Sequence, residues 1–358
     1  MSAIAVRPLN RTLLLACAPF LGLLLWLFLS NVSLELSEQA YPQLGAQSPA
    51  SAGADGPALA GLDQARELAS GTGQSIKKQI TLYQKTNADM AKIASIASSQ
   101  AGRPYQIYDS RITRKLGSPS ATIRSDKLDA QLYYLGTQNF QSYAVKIKMK
   151  KQDAAKLVLG NDKIGGAETT LSAANRYKAA IGINAGGFAD GGGKRYPLGT
   201  TVVGGSYVDG FQPTMKDLFF VGLNANNKLI GGKFSSQAQL DALGPKFGAT
   251  FVPILMKGGQ PTVIPDKWRT SPKRAPRTVI ANYKDDQLLF LIANGYNENG
   301  SSGATLEEMQ LLLQRYGAVD GYNLDGGGST SLVFNGRVVN SPSDGTLRKL
   351  PTHFLFFK

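Results

Sequence analysis

The sequence predicts an α+β protein: a large mixed β-sheet domain with a few helices over residues 104–358, preceded by a transmembrane helix and a helical stalk. Three observations predict it. From Pro104 onward short β-type runs recur between turns, among them QLYYLG, SYAVKIKMK, LFFVGL, TVIANY, LLFLIANG and SLVFNG. Only two segments in that stretch have helical texture, Ser172–Ala180 and Thr305–Tyr316. The residues before it hold one long apolar run, one Pro/Gly/Ala-rich stretch and one loosely periodic segment. No internal repeat is visible, and 358 residues suffice for one large or two modest domains.

Taken in order, residues 1–30 read as a cytoplasmic tip and a membrane anchor. Leu13–Leu29 contains seventeen uncharged residues, the lower limit for a spanning helix. Arg7 and Arg11 precede it and would hold the N-terminus in the cytoplasm, exporting everything after residue 30. A cleaved signal peptide is the rival, but no small-x-small cleavage site follows Leu29. Residues 31–75, with SPASAGADGPALAG, read as a flexible linker. Residues 76–103 read as a juxtamembrane helix, with Ile80, Leu82, Met90 and Ile93 at helical spacing.

In the domain itself, SYAVKIKMK alternates Tyr143, Val145, Ile147 and Met149 with lysines 146, 148 and 150. That pattern puts one face in the core and a basic face toward water or a ligand. Thr305–Tyr316 has an acidic first turn, apolar Leu306, Met309, Leu312 and Leu313, and Gly317 as its stop.

Charge and composition narrow the function. The net charge is +14, and residues 76–163 carry sixteen Lys/Arg against six Asp/Glu. Such an excess attracts polyanions. For an exported protein these are anionic lipid headgroups and phosphate-bearing wall polymers, so no nucleic-acid partner is expected. Cys17, the sole cysteine, lies in the anchor, which excludes disulfides and thiol chemistry from the exported part. The sole histidine, His353, sits in a terminal apolar strand, where packing is the usual role. A Ser-His-Asp triad, a His/Cys metal cluster and a Walker loop are therefore not available. Calcium in an Asp/Asn/Gly pocket is compatible with the sequence but no ligand spacing compels it, and no other cofactor is implied.

What remains is carboxylates, arginines, hydroxyls and glycine backbone. The densest cluster is residues 321–344, where Asn323 and Asp325 lead into Gly326, Gly327, Gly328 and Ser329. Three glycines beside an acid at a strand end suit a ligand held by bare amides, or else an ordinary glycine-rich turn. Other strand ends repeat the pattern: IGINAGGFAD with Asn184, Gly186 and Gly187; KRAPRTVIANY with Arg274, Arg277 and Thr278; IANG with Asn294. This toolkit suits an acetal or phosphate-bearing substrate. When the leaving group is a phosphate ester, one carboxylate and an arginine clamp are sufficient, because a weak base departs without a strong acid.

INAGGF (183–188), PLG (197–199), PRTVIA (276–281), GATLEEM (303–309), NLDGGGSTSLVFNG (323–336) and PSD (342–344) together identify a resemblance. From about Ser142 to the C-terminus the chain resembles the phosphodiester glycosidase domain family. That family includes bacterial proteins and the N-acetylglucosamine-1-phosphodiester α-N-acetylglucosaminidase. The resemblance implies hydrolysis of the bond between a sugar's anomeric carbon and a phosphodiester. It implies Asp325 as the central acid, and Asn323, Gly326, Gly327, Gly328 and Ser329 around it. Asn184, Gly186 and Gly187 would line the opposite wall. Arg277 and Thr278 would meet the phosphate, with Arg274 nearby. Glu308 would act at the helix start, on substrate or by positioning the glycine loop. One departure is Asn294-Gly295, where family members often have Asp-Gly. If that acid is catalytic, the protein is impaired or uses another group such as Asp190 or Asp344; if it only closes a turn, Asn substitutes easily. The expected protein is thus a membrane-anchored hydrolase of a cell-surface or exopolysaccharide glycan. The alternative is a non-catalytic module binding phosphate-bearing wall polymer, with SYAVKIKMK supplying affinity. A third reading, a glycosidase for a neutral linkage, needs a second carboxylate about 5–10 Å from the first.

Overall fold

The computed structural model describes residues 55–297 and 300–358. The expected anchor, Leu13–Leu29, and residues 31–54 of the expected linker lie outside them. Among the described residues no helix is long and apolar enough to cross a membrane. The chain divides into two compact units, one ending at Ala88 and the other spanning Asp89–Lys358.

One helix, α1 (Asp55–Leu116), begins in the first unit and ends in the second. The expectation of a flexible linker up to residue 75 is corrected over residues 55–75, which are helical. LDQARELAS is built of good helix formers, and isolated glycines cost only about 1 kcal/mol each. The helix also runs through Pro104, so the β-domain begins at Ala121 rather than at residue 104. Packing explains the extension: Ile112 and Leu116 bury against the domain core, with Tyr108 beside them. Gly117, at φ 93°, then ends the helix.

The strands follow in order. β1 (Ala121–Arg124), β2 (Leu128–Leu135) and β3 (Ser142–Met149) form a meander, and β4 is Ala155–Leu159. Helix α2 (Thr170–Arg176) is capped by Thr169, whose hydroxyl accepts from the Ser172 amide. It starts two residues before the predicted Ser172 and stops short of Ala180. Then come β5 (Ile181–Asn184), β6 (Phe188–Gly191), β7 (Lys194–Pro197), β8 (Val202–Val203) and β9 (Ser206–Tyr207). β10 (Phe219–Asn224), β11 (Leu229–Gly232), α3 (Gln237–Asp241), β12 (Pro245–Phe251), β13 (Ile254–Lys257) and β14 (Gln260–Pro261) make up the middle. α4 (Asp266–Thr270), β15 (Arg277–Asn282), β16 (Leu288–Ala293) and α5 (Leu306–Tyr316) precede β17 (Gly321–Leu324). β18 (Leu332–Phe334), β19 (Arg337–Val338) and β20 (Thr352–Phe356) close the chain.

These strands form an eight-stranded sheet, β1-β2-β3-β16-β15-β17-β13-β14, and two five-stranded sheets, β11-β10-β12-β8-β9 and β19-β18-β5-β20-β4. β6 and β7 pair as a hairpin. The α+β class holds, but the expected single mixed sheet is replaced by sheets whose neighbouring strands pair antiparallel. β16 and β17 are joined by a long helical crossover through α5, but β15 lies between them and pairs antiparallel with both.

β15 and β16 sit at the centre, and both of their faces are covered. One face carries Ile280, Phe290 and Ile292, packed with Ile183, Leu332, Phe354 and Phe247 from the five-stranded sheets. The other carries Val279, Leu289 and Leu291, packed with Leu306, Met309 and Leu313 of α5 and with Ile112 of α1. This second layer changes the reading of β3. Lys146, expected on a free basic face, is only 4% exposed. Its ammonium pairs with Asp109 at 2.7 Å and bonds Thr113 at 3.0 Å, both on α1. Lys150 pairs with Asp129 at 2.7 Å. Two of the three lysines are thus neutralised within the fold.

His353 is fully buried between strands, its Nδ1 bonded to the Thr170 hydroxyl at 3.1 Å and its Nε2 to Leu350 O at 3.1 Å. Burial pulls its pKa down to about 4, against weaker opposition from Glu168. The unfolded chain takes up a proton below about pH 6.5 whereas the folded chain resists until about 4. Stability therefore falls as the pH drops from 6.5 to 4, by about 3 kcal/mol from this residue. Urea denaturation of the wild type and of His353→Gln across that range tests it. The variant's pH dependence should be flatter by that amount, and parallel curves would contradict the assignment.

Candidate active site

The acid at the centre of the glycine cluster is placed by three strands. β17 is buried along its length and delivers Asp325 at its C-terminal end. The Asp325 amide donates to Ala185 O at 3.2 Å, and its carbonyl accepts from Asn184 Nδ2 at 2.6 Å. Asn184 Oδ1 in turn accepts from the Thr278 hydroxyl at 2.9 Å and from the Ser331 amide at 3.0 Å. One buried amide side chain thus ties β5, β15 and both ends of the 325–331 loop. Asn184, expected to line the cleft wall, has no exposed surface and is bonded to the Asp325 carbonyl. Thr278, expected at the phosphate, is buried in the same brace.

The glycines also answer to packing. A Cβ on Gly326 would stand 2.7 Å from Pro276 O, and Gly327 needs its φ of 59°. The expectation of bare amides waiting for a ligand is revised. The Gly326 amide donates to Asp325 Oδ1, Gly327 to Pro276 O, Ser329 to Gly326 O and Thr330 to Gly327 O. Gly186 and Gly187 permit close approach to β12: a Cβ on either would stand 2.7 Å from Ala249 or Phe251. Asn323 donates to Val252 O at 2.6 Å. Three oxygens around the loop, Asn323 Oδ1, Ser329 Oγ and Thr330 Oγ1, are buried without a hydrogen-bond partner among the described residues. Buried polar atoms are ordinarily paired, so a cluster of exceptions marks a place where a polar ligand would be stabilised.

Two arginines flank the loop. The β15–β17 register pairs Thr278 with Leu324, which places Arg277 across from Asp325. Arg277 is 7% exposed, and its Nε and Nη2 donate to Ala304 O and Pro272 O. Burial pulls its pKa down to about 10, only partly opposed by Glu307. The second is Arg348, which sequence reasoning missed. Its guanidinium pairs with Asp344 at 2.7 Å, and a Cβ on Gly328 would collide with both side chains. No sequence signal beyond a cation four residues after Asp344 announced it. Of the two replacement acids considered, Asp344 is thus at the loop. Asp190 is 3.1 Å from Arg195 in the β6–β7 hairpin.

Glu308 takes a supporting place. It closes a capping box with Thr305 and accepts from both Arg274 Nη atoms, at 2.7 and 3.1 Å, and from Asn139. Burial raises its pKa, but the bonds from Arg274, the Thr305 amide and Asn139 outweigh this and hold it below the usual range. Arg274 also donates to Gly303 O at 2.7 Å. The pair fixes the loop leading into α5, and a carboxylate so engaged is poorly placed to donate a proton.

Asn294 both braces the fold and borders a cleft. Its Oδ1 accepts from the Ser341 amide at 3.2 Å, and its Nδ2 reaches Tyr143 OH at 3.3 Å and Gln141 Oε1 at 3.4 Å. Donor and acceptor are both used, which an amide can do and an ionised carboxylate cannot. The cleft, of about 510 Å³, is lined by Asn294 itself with Gly295, Ser302, Gly303, Ser341 and Pro342 among others. Gly295 packs on the Pro276 ring and Gly326 on its carbonyl, so Pro276 touches both a cleft residue and the glycine loop.

The fold and site together define a class: an antiparallel α+β domain with an Asp-Gly-Gly-Gly loop at a central strand end, flanked by two arginines. The model of the phosphodiester glycosidase family matches residues 177–357, half of the chain, and the protein belongs to that family. A prophage-derived uncharacterized protein, YomE of Bacillus subtilis, is 28% identical over 187 residues, 51% of this chain and 28% of its own length. The N-acetylglucosamine-1-phosphodiester α-N-acetylglucosaminidase of Homo sapiens is 40% identical over 68 residues, 19% of this chain and 13% of its own length. This chain therefore spans well under half of either relative. The catalytic domain of the zebrafish enzyme of that name superposes with a TM-score of 0.52 at 17% identity, covering 67% of this chain and 87% of its own. That likeness establishes the fold.

The brace yields a prediction. Asn184→Ala strands a buried carbonyl, a buried hydroxyl and a buried amide, and should cost about 3 kcal/mol or more in urea denaturation. A loss below about 1 kcal/mol would show that the loop does not depend on Asn184.

Proposed function

We propose that the domain hydrolyses the bond between a sugar's anomeric carbon and a phosphodiester. The observation that carries this reading is Asp325, fixed at the end of β17 with Arg277 across the strand pair and Arg348 over the adjoining glycine. Family membership supports it, as do the orphaned oxygens of Asn323, Ser329 and Thr330. In the reaction the C1–O bond breaks and its electron pair remains on the phosphate oxygen, giving a phosphomonoester. Water supplies the hydroxyl of the released sugar, and its other proton ends on the phosphomonoester or in solvent. Asp325 acts as nucleophile or as base toward that water. Arg277 below and Arg348 above stabilise the departing charge, and the leaving phosphate needs no strong acid. Glu308, Arg274, Asn184 and Asn294 position these groups rather than react.

The substrate we propose is a sugar-1-phosphodiester in a cell-surface or exopolysaccharide glycan, reached from a membrane anchor at Leu13–Leu29 with the domain outside the cytoplasm. The sequence of the first thirty residues supports the anchoring. The binding-module reading drew on the lysine face of β3 and on Asn294. With Lys146 covered by α1 and Asn294 engaged as a brace, neither observation favours it over hydrolysis.

The full-length chain incubated with an N-acetylhexosamine-1-phosphodiester, followed at the anomeric proton by NMR, should release free sugar. Asp325→Asn should slow release by about 10³-fold or more, while Glu308→Gln, if it folds, should stay within about tenfold. Undiminished turnover in Asp325→Asn would overturn the role of Asp325.

A further inference from the structure

A second basic site lies at the other end of the central strands. A cleft of about 560 Å³ opens between the C-terminal turns of α1, the end of α5 and the β13–β14 turn. Arg111, Lys115 and Lys284 line it together with Tyr108, Gln314 and Tyr316, and the lining contains no carboxylate. The acids near these elements are engaged elsewhere. Asp109 pairs with Lys146 at 2.7 Å, Asp320 with Lys257 at 2.9 Å and Asp286 with Lys228 at 2.9 Å. Asp285 accepts from Gln287 at 2.8 Å. Lys115 faces the carbonyl end of α5 near Gly317, which gives that one cation a structural use. Arg111 and Lys284 have no such partner among the described residues.

We infer that this cleft is an exosite for a second phosphate-bearing unit of a polymeric anionic glycan. The inference rests on the hydrolase reading for its substrate class. α5 spans the distance between the two sites, with its capping box at the Arg274–Glu308 end and Gly317 at the cleft. From its N-cap Thr305 to its C-cap Gly317 the helix advances about 18 Å, beyond the reach of a single sugar phosphate. A chain with repeating phosphates occupies both. The volume is that of a sugar-sized ligand rather than a lone ion. A membrane surface is disfavoured because these cations line a concavity instead of a plane.

The test uses the full-length chain and linear inorganic polyphosphate, which has no glycosidic bond to cleave. Binding is measured over a range of salt for the wild type and for Arg111→Gln/Lys115→Gln/Lys284→Gln. The triple variant should bind about tenfold or more weakly, with a log–log salt slope reduced by about two to three. It should hydrolyse a small sugar-1-phosphodiester like the wild type, because the cleft is remote from Asp325. Equal affinity and slope in variant and wild type would overturn the exosite. So would wild-type binding only to anionic phospholipid vesicles. Should neither protein cleave the small substrate, the hydrolase reading fails while polyphosphate binding still judges the cleft. If the triple variant melts early, Arg111→Gln and Lys284→Gln, both exposed positions, are read singly and should each lower the slope by about one.

Discussion

The four-way junction at Asn184 is the constraint on which the site depends. A carboxamide with no exposed surface holds the Asp325 carbonyl, the Thr278 hydroxyl and the Ser331 amide, so three strands from two sheets converge on one residue. An aspartate there would lose the donor to Asp325, and an alanine would lose all three bonds. Because the acid hangs from this joint, its direction is set before any ligand arrives, which is what electrostatic preorganisation requires. The glycines follow from the same geometry: with Asp325 fixed, the chain must turn directly over Pro276, and only a residue without Cβ fits.

Around this joint the two cationic residues differ in kind. Arg277 is held by two backbone carbonyls, and burial lowers its pKa only to about 10, so it keeps its charge at neutral pH. Arg348 is part-exposed on a loop and pairs with Asp344 at 2.7 Å. The arrangement suits a reaction in which negative charge accumulates on a departing oxygen.

Much of this was legible in the sequence. The strand β15 and its neighbour β16 were clear from continuous apolar runs, and α5 from its spacing with Gly317 as its stop. NLDGGGST was conspicuous because three glycines after an acid have no packing value of their own. What they do was not legible, since the carbonyl of Pro276 that requires Gly326 comes from fifty residues upstream. The covering of Lys146 was hidden for the same reason: alternation shows two faces, but not that α1, beginning well before the domain, lies on the second. Arg348 lay in a loop without periodicity, where a single cation carries no signal. The expected linker failed over residues 55–75 because local composition near SPASAGADG was extended too far into a run of good helix formers.

On the proposed function a phosphodiester-linked sugar reacts at the Asp325 loop. A crystal structure of the Asp325→Asn variant soaked with a sugar-1-phosphodiester tests this. The phosphate should lie against Arg277 and Arg348, with the anomeric carbon facing the residue at position 325. A sugar seated elsewhere, with its phosphate touching neither arginine, would contradict it.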